Sequence, residues 1–545
     1  LFMRCTQMAA LVRSCKFCAD LALSCYGPLG RLKALKAAPN TPASVFTSTS
    51  GPLFQGVRPT HPFEQLLASG TAQAQHAQFG DGGLSCTFLA ARLVQAALQG
   101  ASTRRDIHEA CCTLQAVGDR LQESLAGIAS SVPQDCSLKQ LLGLCRGVVR
   151  PKLGCLLDDG ELEQLVALLV EAFVLTLPDA HPAGDPTAVP PAMRVALHTL
   201  RGAPLGDSRV VRGVVLPADD LPPGALRLLR PAEPAGAGAA DAAGAGGFAV
   251  GEVGLLLFSG ALDTRASQHD STAPAAAAGA VVVVQEQSTA AQDDVEDEEL
   301  ERLVEALSQL LSCMRDVRLL MCQKGIHPAI QAWLLSRGVV PVQRLGTACV
   351  SSLSLASGCV PLEGLLDVTS VAPGRGFCHV TVDVEAINGV QLVKVQSAAA
   401  SRHTSCAAAT LVLGCPSDAV IEHIKHATES ALKLLRVTMG QAPAAVPGCG
   451  FTEQSLAKDL EEWSTKIPGH TGRQVTLIKA TAQALRDIAR ASTPQESDRL
   501  VQGSLHLAVC NSHKIIFDSY PCKAAALQRA VYVAIQLAKL SCQSL

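Results

Sequence analysis

Hydrophobic residues recur every three or four positions at both ends of the chain, whereas the middle contains short apolar runs bounded by glycine and proline. The first spacing is typical of amphipathic helices and is clear in residues 161–177 and 520–540. The second is typical of strands, as in residues 210–216 and 250–258. Helical ends that enclose a strand-containing middle predict a mixed α and α/β fold with discontinuous outer domains.

The middle of the chain also contains segments of unusual composition. Residues 317–342 read as a strand, a turn, a helix and a second strand, which is an α/β arrangement. Before them, stretches rich in Ala and Gly at residues 231–247 and 271–280 bury little surface and are predicted to be insertions. The acidic run at residues 293–301 precedes an apolar-periodic segment, so we interpret it as the start of a helix, whose dipole favours acids there.

Composition narrows the class of protein. With 545 residues the chain is long enough for about three or four domains. The net charge is −3 and aromatic residues make up 3%, so neither a basic patch nor many stacking rings are available for nucleic acid. No long uncharged apolar window occurs, which argues against membrane insertion. The 21 cysteines follow no secretory leader in the printed sequence, so we expect free thiols in a reducing compartment.

Two glycine-rich turns are the first candidates for chemistry. Residues 79–86 read Phe-Gly-Asp-Gly-Gly-Leu-Ser-Cys and lead directly into an apolar helical segment. Such glycines let the backbone approach a ligand, a helix start offers N–H groups to an anion, and one carboxylate there is the usual partner of Mg²⁺ beside a phosphate. Residues 25–33 form a Gly-Pro turn that ends with Lys33, which is compatible with a second phosphate loop. The alternative for both is a plain turn next to a helix.

Four stretches in order along the chain resemble those of the group II chaperonins, the family of the eukaryotic cytosolic chaperonin. Residues 27–33, Gly-Pro-Leu-Gly-Arg-Leu-Lys, are similar to that family's Gly-Pro-Lys-Gly-Met-Asp-Lys loop. Residues 80–84, Gly-Asp-Gly-Gly-Leu, are similar to its Gly-Asp-Gly-Thr-Thr loop. Residues 323–328, Gln-Lys-Gly-Ile-His-Pro, resemble its Gln-Lys-Gly-Ile-Asp segment. Residues 446–453, Val-Pro-Gly-Cys-Gly-Phe-Thr-Glu, resemble its Val-Pro-Gly-Gly-Gly-Ala-x-Glu loop.

A closer resemblance, to the Bardet–Biedl chaperonin-like proteins, rests on longer stretches. These are residues 24–33, 60–62, 172–178 and 322–328.

The resemblance implies a three-domain plan of the group II chaperonin type. A helical, discontinuous equatorial domain is expected at residues 1–140 and 436–545, and an intermediate domain at residues 141–200 and 366–435. An α/β apical domain is expected at residues 201–365, and both Ala/Gly-rich insertions fall within it.

The same resemblance implies a pocket for ATP, with Mg²⁺ on Asp81 if nucleotide binds. The positions that it assigns to nucleotide binding are Gly27, Pro28, Gly30, Lys33, Gly51, Gly80, Asp81, Gly82, Gly83, Gly448 and Gly450. Independently of the resemblance, the lone histidines have no acid or cysteine at ligand spacing, so we predict surface or turn positions for His61, His327, His423 and His426.

Departures from the family's pattern predict that hydrolysis is lost. Residues 428–432 read Thr-Glu-Ser-Ala-Leu where the family has Leu-His-Asp-Ala-Leu, so Ser430 stands at the position of the water-activating Asp. Loss of a general base typically costs about 10²–10⁴-fold in rate. The neighbouring Glu429 is turned by about 100° on a helix, so it is not expected to substitute. Hence we predict a degenerate ATPase, not an enzyme.

Three further departures affect the loops. Ser50 replaces the acid of the family's Asn-Asp-Gly loop, Gly83 and Leu84 replace two threonines that would contact phosphate, and Cys449 replaces a glycine. Two interpretations stay open: the pocket binds nucleotide without turnover, or its glycine turns only shape the helical core.

For function, the resemblance implies a chaperonin-like protein that binds unfolded or partly assembled proteins and assists assembly of the BBSome for cilium biogenesis. Its implied partners are other Bardet–Biedl chaperonin-like proteins, the cytosolic chaperonin and BBSome subunits. Its implied location is the cytoplasm, at the centrosome or ciliary base. The alternative is an ATP-dependent protein-folding chaperonin subunit, and the residue at position 430 favours the first hypothesis.

Overall fold

The chain folds into two units with separate hydrophobic cores. The computed structural model describes residues 2–36, 43–57, 61–130, 137–177, 195–229, 248–263, 290–314, 316–364, 371–398, 408–439, 445–466, 471–492, 509–510 and 514–542. Unit 1 comprises Leu1–Val170, Pro204–Gly206 and Cys415–Leu545, and unit 2 comprises Glu171–Ala203 and Asp207–Gly414. Unit 1 is therefore built from both ends of the chain.

The helices and strands of the described residues follow in chain order. The helices are α1 (Phe2–Ser24), α2 (Ser50–Gly56), α3 (Pro62–Ala68), α4 (Ala74–Phe79), α5 (Gly83–Leu98), α6 (Arg104–Ser130), α7 (Leu138–Leu153), α8 (Asp159–Leu175), α9 (Ala225–Leu229), α10 (Ala290–Cys313), α11 (Pro328–Ser336), α12 (Gly346–Ser357), α13 (Asp418–Met439), α14 (Phe451–Lys466), α15 (Gly472–Ser492) and α16 (Tyr520–Cys542). The strands are β1 (Lys33–Lys36), β2 (Ala43–Thr47), β3 (Val195–Arg201), β4 (Arg209–Arg212), β5 (Val214–Pro217), β6 (Phe248–Phe258), β7 (Val317–Cys322), β8 (Val340–Val342), β9 (Ala372–Pro373), β10 (Gly376–Ile387), β11 (Val390–Ser397), β12 (Ala409–Cys415), β13 (Ala445–Pro447), β14 (Val509–Cys510), β15 (Lys514–Ile515) and β16 (Phe517–Ser519).

Helix α5 is the centre of unit 1. It packs against α1, α15 and α16. Its side chains are buried around most of the helix, among them Phe88, Leu89 and Leu93. A helix that is apolar all round belongs inside a core. By contrast α6 is amphipathic and buries one face, including Leu114 and Leu121. The N-terminus of α5 is thereby held in a fixed position, and the Gly-Asp-Gly turn directly precedes it.

Unit 2 is built on a mixed seven-stranded sheet. Its strands run in the order β5-β11-β10-β6-β7-β8, with β9 paired to β10. Strands β6, β7 and β8 are parallel, and α11 lies in the chain between β7 and β8, as the strand–helix–strand prediction requires. A second sheet has the order β3-β12-β4. The mixed α and α/β fold class is confirmed.

One predicted strand is divided in two. Residues 210–216 belong to β4 and β5, which lie in different sheets and are separated by Gly213. Gly213 has φ +88°, and a Cβ there would lie 2.3 Å from the Val395 carbonyl oxygen. Only glycine adopts that turn at such a close approach to another strand.

The finer domain division stays a prediction. Residues 1–140 and 436–545 lie in unit 1, and residues 207–365 lie in unit 2, whereas each predicted intermediate segment is divided between the units. The Ala/Gly-rich segments at residues 231–247 and 271–280 lie outside the described residues. Among the helices that the structure describes, none combines the length and apolarity that a bilayer span requires.

Candidate functional site: a charged pocket in unit 1

A pocket of about 460 Å³ lies within unit 1. Its wall is formed by the turn at residues 25–28, the turn and helix start at residues 81–85, the last part of α7, the turn at residues 449–450, and residues 516–526 around the start of α16. This volume is in the range of ordinary ligand pockets. The loops that the sequence singles out therefore meet at one site.

Six of the predicted site residues line the pocket. They are Gly27, Pro28, Asp81, Gly82, Gly83 and Gly450. The other five lie behind the wall. Lys33 is in β1, paired with Thr47 of β2, and Gly51 in α2 packs against the His76 ring. Gly30 donates its N–H to Gly27, Gly80 ends α4, and Gly448 lies against Ile516.

The N-terminus of α5 opens onto the pocket. Gly82 is its N-cap residue, no side chain of the described residues caps the helix, and its first turn contains no acid. The first N–H groups of a helix lack partners within the helix and carry its positive dipole end. Residues 83–85 line the pocket, so this end of the pocket, which we call the loop end, offers an electropositive backbone.

At the loop end Asp81 is paired with a lysine from α7. Lys152 Nζ lies 3.0 Å from Asp81 Oδ1, and the two side chains are 11% and 35% exposed. The backbone of Lys152 is fixed as well, because His423 Nε2 donates to its carbonyl oxygen at 2.8 Å. The predicted surface or turn position of His423 is wrong, since this residue is fully buried within α13. The Asp81–Lys152 pair therefore places an ammonium on the carboxylate to which the sequence assigns Mg²⁺.

A histidine beside this pair is held neutral. Burial, and then the positive charges of Lys152 and Lys433, lower the pKa of His76 to about 4. His76 Nδ1 lies 3.2 Å from the Gly80 carbonyl oxygen, to which it donates. The neutral ring therefore supports the Gly-Asp-Gly turn by donating a hydrogen bond to its backbone.

Another part of the pocket wall carries a buried charge cluster of Glu453, Asp518 and Lys523. Lys523 Nζ lies 2.6 Å from Asp518 Oδ2 and also contacts Glu453 Oε1. Burial opposes the charge on Lys523, but the carboxylates of Asp518 and Glu453 outweigh it and raise the pKa of the lysine. Glu453 Oε2 has no hydrogen-bond partner among the described residues, although Glu453 is only 6% exposed.

Ser430 does not act on the pocket. It is 2% exposed, and no described group accepts from or donates to its hydroxyl. It lies behind the Gly-Asp-Gly turn, where a Cβ on Gly80 would be 3.0 Å from the Ser430 carbonyl oxygen. The adjacent Glu429 lies on another side of α13, with Oε2 3.6 Å from His426 Nδ1. Neither residue offers a base to the pocket.

Steric contacts at the loop end differ from those that the family's motif requires. A Cβ on Gly83 would lie 2.3 Å from Ser50 Oγ and 2.9 Å from the Ala72 carbonyl oxygen. Ser50 therefore occupies the space of the threonine that the motif has at position 83. Cys449 adopts φ +55°, a conformation that favours the glycine it replaces.

Nucleotide and Mg²⁺ fit this pocket unequally. The orphaned oxygen of Glu453 and the uncapped N-terminus of α5 suit a ligand that carries both hydrogen-bond donors and an anionic group. The residues around Asp81 do not fit Mg²⁺, because the carboxylate is already neutralised by Lys152 and a serine, Ser50, stands where the resemblance implies a second acid.

Of the eight charged residues that line the wall, the sequence-based prediction assigned only Asp81 to the site. Lys152, Asp518 and Lys523 lie outside the glycine loops and are brought in by α7, β16 and α16. The Tyr-Pro-Cys-Lys start of the last helix is a signal for Lys523, because a lysine in the first turn opposes the helix dipole. No local pattern marks Lys152 or Asp518.

With this geometry established, comparison with known proteins identifies the class. A family model described as the TCP-1/cpn60 chaperonin family matches residues 18–491, so the chain belongs to that family. The predicted chaperonin resemblance is confirmed.

Individual relatives show which members of the family the chain resembles. Molecular chaperone MKKS of Mus musculus is 26% identical over 450 residues, which cover 80% of this chain and 67% of the relative. The protein of the same name from Homo sapiens is 26% identical over 443 residues, with 80% and 68% covered. Thermosome subunit alpha of Saccharolobus solfataricus is 22% identical over 490 residues, with 88% and 77% covered. The expected likeness to the McKusick–Kaufman syndrome protein, the chaperonin-like protein that the name MKKS denotes, is confirmed.

Proposed function

We propose that this chaperonin-like protein binds unfolded or partly assembled proteins and assists assembly of the BBSome for cilium biogenesis without hydrolysing ATP. The observation that carries the loss of hydrolysis is at the loop end of the pocket. The pocket keeps the family's loops, but Ser430 is buried and its hydroxyl has no partner among the described residues, and Asp81 is bound to Lys152. A neutral hydroxyl has neither the charge nor the basicity to activate water near neutral pH.

Binding of other proteins would use unit 2, in which the predicted apical segment lies. Chaperonin-type recognition of unfolded chains depends on apolar surface rather than on bond chemistry. In the described part of unit 2, Leu228 and Val360 expose 37% and 61% of their surface. These side chains are starting points for mapping the proposed surface.

The proposed partners are other Bardet–Biedl chaperonin-like proteins, the cytosolic chaperonin and subunits of the BBSome. The proposed location is the cytoplasm, at the centrosome or ciliary base. Both proposals rest on the sequence resemblance. The relatives named MKKS support the likeness to this branch of the chaperonin family, from which the proposed partners and location are taken.

Phosphate release from ATP by the purified full chain tests the loss of hydrolysis. We expect release at the background rate, unchanged in Asp81→Ala. Robust turnover that Asp81→Ala abolishes would instead establish the alternative, an ATP-dependent folding subunit. A thermosome measured in parallel provides the positive control.

Affinity purification from ciliated cells, with and without ATP, tests the partners. We expect BBSome subunits and chaperonin-like proteins to co-purify in both conditions, and Leu228→Ser with Val360→Ser to reduce their recovery. Sedimentation of the same material distinguishes a ring from a monomeric scaffold. Recovery of neither BBSome nor chaperonin subunits would contradict the proposal.

A further inference from the structure

The charges in the pocket wall are balanced before any ligand enters. The wall contains the basic residues Arg146, Arg150, Lys152 and Lys523 and the acidic residues Asp81, Asp159, Glu453 and Asp518. Each basic side chain contacts a carboxylate, since Arg146 pairs with Glu163 at 2.9 Å and Arg150 with Asp159 at 3.4 Å. A divalent ion at Asp81 would thus add two positive charges beside the ammonium of Lys152. Like charges at contact distance repel strongly where water is partly excluded.

One acceptor of the buried charge cluster has no hydrogen-bond donor in the described part of the chain. Glu453 lines the wall, and its Oε2 is buried and has no partner among the described residues. A buried oxygen of this kind calls for a donor from a ligand, such as a hydroxyl or an amine. Asp518 beside it supplies a second acceptor.

Helix α7 passes both the loop end and the buried charge cluster, so its length gives the distance between them. A Cβ on Gly147 would lie 3.3 Å from Asp518 Oδ1, so Gly147 lies beside the buried charge cluster. Lys152 lies at the loop end, where it contacts Asp81. Five residues on a helix span about 7.5 Å along its axis. A nucleotide has sugar hydroxyls at one end and phosphate at the other, and it fits a pocket with acceptors at one end and a cation with free N–H groups at the other.

We propose that this pocket binds a nucleotide without a divalent cation, and that the ammonium of Lys152 occupies the position beside Asp81 where such an ion would lie. The proposal deepens the non-hydrolytic function proposed above and rests on it. In this arrangement the phosphate is bound by Lys152 and the first N–H groups of α5, and the hydroxyls are bound by Glu453 and Asp518.

Calorimetric titration of the full chain with ADP, in Mg²⁺ and in EDTA, tests this directly. We expect the two dissociation constants to agree within about twofold. Lys152→Gln uncovers Asp81, so its ADP binding becomes dependent on Mg²⁺ by about tenfold or more. Asp81→Asn releases Lys152 for the phosphate, so it tightens binding in EDTA. Arg150→Gln, which removes the neighbouring paired cation of α7, is the matched control and acquires no dependence on Mg²⁺.

Three results would overturn the inference. One is wild-type binding that tightens tenfold or more in Mg²⁺. Another is no binding of ADP by the wild type in either condition. A third is inorganic phosphate binding as tightly as ADP, because the acceptor end would then be unused. All three leave the phosphate-release experiment unaffected, so failure here is distinguishable from failure of the proposed function. The wild-type comparison decides the matter even if Lys152→Gln does not fold.

Discussion

Lys523 and Lys152 both pair with acids in the wall of one pocket, but their surroundings differ. Lys523 lies between two carboxylates, and its side chain and that of Glu453 are 16% and 8% exposed. Lys152 is itself 11% exposed but has one carboxylate partner, Asp81, which is 35% exposed. Buried ions are costly to separate, whereas water screens half-open pairs. The buried charge cluster therefore holds the fold of unit 1, and the loop end is where charge remains available to a ligand.

The largest effect is expected at the buried charge cluster. Lys523→Met leaves buried Glu453 and half-buried Asp518 as neighbouring acids without a cation. We therefore expect the free energy of unfolding to fall by about 3–5 kcal/mol. Lys152→Met is the matched control and should cost about 1 kcal/mol. Urea unfolding of both variants measures the difference. Equal losses would show that the two ends of the pocket do not differ as argued.

The next effect concerns space at the loop end. Gly83→Thr restores the residue of the family's motif, but its Cβ would lie 2.3 Å from Ser50 Oγ. Overpacking of this kind typically costs about 1–3 kcal/mol, which thermal unfolding would detect. Gly127→Ala on α6 is the control, since no atom of the described residues lies within 4 Å of an added Cβ there. A Gly83→Thr protein as stable as the wild type would mean that Ser50 moves aside.

The glycine turns of the pocket could be predicted from the sequence, whereas the pairing of its charges could not. Glycine turns have local signatures, so the turns at Gly27 and Gly82 and the fold class were predictable. The pairing of charges was not, because Lys152 lies 71 residues from Asp81, and Lys523 lies 70 residues from Glu453. Such contacts depend on the packing of helices that are distant in sequence. Nor does any local pattern show that Ser50 fills the space beside Gly83.

A pH effect is expected from His76, which lies near Lys152, Lys433 and Asp81. Its pKa is lowered to about 4, so between the ordinary value of 6.5 and 4 the unfolded chain binds more protons than the folded one. The associated stability is present above pH 6.5 and is lost as the pH falls toward 4. At pH 5 the loss is about 1–2 kcal/mol. We expect His76→Gln to flatten the dependence of unfolding free energy on pH, and parallel curves would contradict this.

The smallest effect is expected at Ser430, where the sequence places the lost catalytic acid. Its hydroxyl is buried and has no partner in the described part of the chain, so Ser430→Ala removes a desolvated group that makes no hydrogen bond. The free energy of unfolding should stay the same or rise by up to about 1 kcal/mol. Ser519→Ala is the matched control, because that buried serine contacts Thr438 Oγ1 at 2.8 Å and should lose about 1 kcal/mol. If Ser430→Ala is instead the more damaging substitution, or if it changes ADP binding, then Ser430 faces a group of the pocket and the loop end retains more of the family's chemistry than its charges indicate.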